Sequence, residues 1–65
     1  MPFKITQKAV EVGDIFIEVV DADYDVIEFW EVVQKLDDKN YACKCGSTWS
    51  IVGTWAQRQV ITYAI

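Results

Sequence analysis

Histidine is absent from the 65 residues, proline occurs once, and glycine occurs three times, at Gly13, Gly46 and Gly53. Without an imidazole, the usual Ser-His and Cys-His pairs of nucleophile and base cannot be assembled. Three isolated glycines make no phosphate-cradling loop. Two cysteines are too few for a disulfide framework, and a zinc site would need two further ligands from a second copy. An enzyme is therefore not expected, and neither a metal nor another cofactor is called for. Basic residues are also few, six Lys and Arg against ten Asp and Glu, for a net charge of −4. That balance disfavours phosphate backbones, whose recognition needs clustered cations. No apolar run approaches the ~20 residues that cross a bilayer, and Met1-Pro2-Phe3-Lys4 leads into polar alternation, unlike the apolar heart of a signal peptide. The expected setting is the cytoplasm, reducing, with free thiols at Cys43 and Cys45.

Apolar side chains, by contrast, are plentiful. They make up 52% of the chain and include three Trp, three Tyr and three Phe. A chain this short buries only about 60% of its unfolded surface, and each aromatic side chain demands roughly 150–250 Å². Some of Trp30, Trp49 and Trp55 should therefore stand at the surface, where tryptophan is enriched among the residues that dominate protein–protein binding. A protein partner, or further copies of the chain itself, follows as an expectation.

Helix formers are scarce, with a single Leu and a single Met, while Val, Ile, Thr and aromatics recur with period two, as in strands. The pattern predicts a strand or an extended arm over 3–12 and strands over 15–20, 26–36, 41–45, 49–52 and 59–65. Gly13-Asp14, residues 21–25, Asp37 to Asn40 and Gly46 to Thr48 are turns, rich in residues that tolerate tight corners. Residues 54–58 suit one turn of 3₁₀ or α-helix. About five short strands with apolar residues on both faces predict one all-β domain, and an SH3-like barrel in which closure removes the exposed edges. An OB-like barrel would need a longer chain.

The stretch E-V-G-D-I-F, Glu11 to Phe16, resembles the entry into the first strand of many small SH3-like barrels. Together with I-E-F-W-E-V-V, Ile27 to Val33, it is similar to a group of small phage- and plasmid-borne proteins built on that barrel. The resemblance implies the fold and a phage-like origin, and hence a host cytoplasm, but no reaction. Gly-Asp-Ile is also similar to the start of toxin ribonucleases of this barrel type. Basic side chains assist their chemistry, and here only Arg58 could take that part.

Residues 21–25 read D-A-D-Y-D. A calcium-binding EF-hand loop places acids at positions 1, 3 and 5, Gly at 6 and a bidentate Glu at 12. Asp21, Asp23 and Asp25 meet the first condition, but Val26 and Val32 stand where the Gly and Glu belong. The plainer reading is a solvated turn in which Asp side chains bond their own backbone. A third reading joins the loop to Glu18 and Glu28, cross-strand neighbours if the loop closes a hairpin. Like charges placed opposite each other destabilise a sheet, so a basic partner would give them a purpose. Cys43 and Cys45 share one strand face and are expected to pack as small apolar groups. On the long strand, Phe29 groups with Ile27 and Val33 as core, which turns Trp30 outward.

These observations lead to a non-catalytic protein-binding module, of the kind a phage uses as an accessory or inhibitor of a host defence or nucleic-acid-handling protein. Trp30, Trp49 and Trp55 are the expected anchors, and Asp21, Asp23, Asp25 and Glu28 the steering charges. Two rival readings are a structural protein that self-associates, and a small-ligand or nucleic-acid binder that uses a corner formed by Lys35, Lys39 and Lys44.

Overall fold

A computed structural model describes residues 3–21, 23 and 26–63. Six strands follow one another: β1 (Phe3–Ala9), β2 (Ile15–Asp21), β3 (Val26–Asp37), β4 (Asn40–Cys45), β5 (Thr48–Gly53) and β6 (Gln57–Tyr63). All pair antiparallel in a single sheet of order β1-β6-β2-β3-β4-β5. The all-β class holds. Among the described residues the sheet does not close: β1 and β5 are its two edges. Residues 54–58 hold no helix: a turn closed by Ala56 N–H on the Gly53 carbonyl leads straight into β6.

The hairpins follow from their turn residues. Asp37 pairs with Asn40 across Asp38-Lys39, and the Asp37 carboxylate accepts the Lys39 N–H at 2.8 Å and the Asn40 amide at 3.0 and 3.2 Å. Cys45 pairs with Thr48 across Gly46-Ser47. A two-residue connection that matches strand twist needs a positive φ at its first residue, and Gly46 supplies it at 61°. From β2 to β5 the chain is a simple meander. β6 then crosses back, pairs with β2 over Ile15–Ile17 only, and carries β1 on its other side.

Residues opposite each other in an antiparallel pair project from the same face, so the register defines two faces. Phe16 lies opposite both Trp30 and Val60, Val32 opposite Cys43, and Tyr41 opposite Val52. Phe16, Trp30, Val32, Cys43, Val52 and Val60 form the core with Val10, and Tyr41, Cys45 and Ala56 pack against it. This is the inner face. Among the described residues no second layer covers the outer face.

Candidate binding surfaces

Trp30 is in the core, 7% exposed, against the expectation that it points outward. Its neighbour Phe29, expected inside, is 57% exposed. The cause is the pairing: Trp30 lies opposite Phe16, whereas Phe29 lies opposite Ile17 on the uncovered side. The Trp30 Nε1 proton is buried without an acceptor among the described residues, a cost of about 1–3 kcal/mol that the packed ring has to outweigh.

Trp49 and Trp55 do stand at the surface, 56% and 71% exposed. Trp49 is on the outer face of β5, opposite Lys44, whose Nζ lies 5.4 Å from the ring centre. Ile51, two residues on, shares that face and is 63% exposed. Gly53 is the next outward position, and the Trp55 indole takes the place of its missing side chain. A Cβ on Gly53 would come within 2.9 Å of Trp55 Cζ2 and 3.0 Å of Cη2, so only glycine lets the ring lie there. Thr54 holds this turn in place, donating from its N–H to the Lys39 carbonyl at 2.9 Å and from Oγ1 to the Asp38 carbonyl at 3.0 Å. Trp49, Ile51 and Trp55 thus form a row of about 13 Å along one side of an edge strand, at two residues per step.

Among the described residues β5 pairs only with β4, which leaves one side of its main chain without a strand partner. Natural edges are usually guarded by charge, proline or a bulge. β1 has Lys4 and Lys8, whereas T-W-S-I-V-G of β5 has no such guard. Sequence reasoning overlooked Ile51, although its two-residue spacing from Trp49 would have placed it beside that ring.

The acids lie elsewhere. Asp21 accepts the Asp23 N–H at 3.0 Å, the local bond expected of a solvated turn; Asp25 lies outside the described residues. Glu18 and Glu28 are cross-strand neighbours on the inner face, and neither makes an ion pair among the described residues. Three strand spacings, roughly 14 Å, separate β2 from β5, so the expected union of tryptophans with steering acids is not assembled. The lysine corner is not assembled either. Lys35 lies opposite Tyr41 on the inner face, and Lys44 opposite Trp49 on the outer one.

Both thiols are free. Cys43 is fully buried, and burial raises its pKa while the Arg58 charge pulls the other way. It is a packing group. Where β2 and β6 part after three pairs, an open slot of about 340 Å³ remains between Ile17, Val19 and Glu18 on one bank and Gln57, Arg58 and Gln59 on the other. Arg58 turns its guanidinium back to the Gln57 carbonyl at 2.9 Å. Among the described residues no group of three metal-binding side chains occurs, and there is no helix long and apolar enough to cross a membrane.

No family model, no curated protein and no solved structure matches the chain.

Proposed function

We propose that the protein is a non-catalytic binding module that takes an extended segment of a partner protein along β5. The observation that carries this reading is the unguarded edge with Trp49, Ile51 and Trp55 on one side of it. An added strand would gain main-chain hydrogen bonds from β5, and its alternate side chains would meet the two rings. Tryptophan suits the task, since a rigid ring offers much contact area for little lost freedom. The SH3-like assignment and the narrower role, an accessory or inhibitor of a host enzyme in the cytoplasm, belong to the same proposal. Their support is the Gly-Asp-Ile-Phe strand and the acidic composition.

The test is a random-peptide library selected on the immobilised protein, with the selected peptides then titrated in solution. Binding should slow amide exchange at residues 48–53 and perturb tryptophan emission. Trp49→Ala and Trp55→Ala should each weaken it by at least tenfold, about 1.4 kcal/mol or more. Peptides that bind both variants as tightly as the parent chain would refute the β5 site.

A further inference from the structure

The outer face of β1, β6, β2 and β3 is a second surface, distinct from the β5 row. Its rows follow from the register. Ile5, Ile61 and Ile15 lie side by side, then Ile17 beside Phe29, then Val19 beside Ile27, with Phe3 beside Tyr63 at one corner. The polar positions among them are the neutral amides Gln7, Gln57 and Gln59. The nearest charges on this side are Glu31, at the end of the isoleucine row, and Lys44 opposite it.

Two areas, one for the whole molecule and one for this face, argue that the described residues leave it open. A folded monomer of 7.5 kDa should expose about 4,250 Å², and this one exposes 4819 Å². Phe3, Ile5, Ile15, Val19, Ile27, Phe29 and Tyr63 all count among the exposed large side chains. At about half exposure each, they leave on the order of 800 Å² open, more than the ~300–600 Å² of the largest patch on an ordinary monomer. It equals the share that one partner gives to a stable interface of standard size.

We propose that a second copy of this chain covers the face, back to back, so that two sheets form a sandwich about 10 Å apart with their outer faces between them. Charge favours a like copy. Two molecules of net charge −4 repel each other wherever their acids approach, but among the described residues the register places no acid between these apolar rows. Glu18 and Glu28 are on the inner face, and Asp37 and Asp38 are at a hairpin tip. A strongly charged partner would find nothing here to pair with. A two-fold-related copy presents its own Glu31 and Lys44 at the rim, one of each sign, which can answer each other across the interface.

Sedimentation equilibrium of the full chain from 1 to 100 µM tests the proposal. The parent protein should sediment at twice the 7.5 kDa chain mass. Phe29→Glu buries a charge in the interface and should weaken association on the order of a hundredfold, whereas Trp49→Ala and Trp55→Ala should leave it intact. A parent chain monomeric at 100 µM overturns the proposal, because something other than a second copy would then cover the face. A dimer that Phe29→Glu leaves unchanged but Ile51→Glu dissociates also overturns it, assigning self-association to the β5 edge. Should Phe29→Glu fail to fold, a half-labelled sample of the parent protein decides by NMR. Contacts between copies from the Phe29 ring to isoleucine methyls on the outer face support the sandwich, and their absence refutes it. A monomeric chain that still binds peptides along β5 separates failure here from failure of the proposed function.

Discussion

Trp30 shows how much one residue decides in a core this small. Few side chains are fully enclosed beside it, among them Phe16, Val32, Cys43 and Val60. Trp30→Ala should cost about 3–5 kcal/mol, which is close to everything that a core of this size supplies. Trp30→Phe keeps a ring and removes the N–H that has no acceptor, so its cost should be on the order of 1 kcal/mol. Urea unfolding followed by far-ultraviolet circular dichroism measures both. An alanine variant as stable as the parent would show that the ring is not a central part of the core. The sequence alone could not place this residue. Both alternate sets along 26–33 are largely apolar, Ile27, Phe29 and Val33 on one side and Trp30 and Val32 on the other. Periodicity separates such sets without saying which one faces inward. Phe16, Val60 and Cys43, on three other strands, make that choice.

At the scale of elements the sequence was far more legible. Strand positions came from period-two alternation, and among the described residues every boundary but two falls within one residue of expectation; the expected end of the last strand, Ile65, lies outside them. The first strand ends early, at Ala9, because Glu11 to Asp14 folds into a turn in which the Asp14 carboxylate accepts the Glu11 N–H at 2.9 Å. β6 begins early, at Gln57, because the Gly53 to Ala56 turn is too short for a helix. The hairpin at 37–40 leads to a prediction about acid. The Lys39 N–H, the strongest influence, and then the Asn40 amide hold the Asp37 carboxyl below its ordinary value of 3.8. A group whose folded pKa is lowered stabilises the fold when ionised. Its contribution is therefore complete above pH 3.8 and is lost as pH falls through the lower native value. Asp37→Asn should flatten the acid limb of the stability curve in that window and leave the curve's shape near neutrality unchanged. Denaturant titrations from pH 2 to 7 on both proteins check this. Parallel acid limbs would show that the carboxylate plays no part.

For the molecule as a whole, the fold class was readable and the closure was not. Alternation reports which residues form strands, but whether the first and last strands of a sheet meet depends on partners distant in sequence. Here β6 turns back to β2 and seats β1, leaving β5 free at the opposite margin. For the same reason, the prediction that some tryptophan area lies outside came from counting rings against available volume, yet counting could not say where. Trp49 and Trp55 lie along that margin, while the larger unclaimed area belongs to isoleucines, valines, Phe3, Phe29 and Tyr63, which the sequence pattern did not place at the surface.

The junction of β2 with β6 is only three residue pairs long, whereas β1 and β6 match over seven, Phe3–Ala9 against Gln57–Tyr63. The sheet is therefore two leaves joined by a short hinge line, β1 with β6 on one side and β2 through β5 on the other. In the free chain, deuterium should enter the Ile15–Ile17 junction before it reaches the β3–β4 ladder, since a leaf can swing open without the whole molecule unfolding. Uniform exchange across both would mean that the sheet opens only as a unit. Ile5 and Ile61 lie on one leaf, Ile15 and Phe29 on the other, so whatever molecule settles across them also acts as a splint.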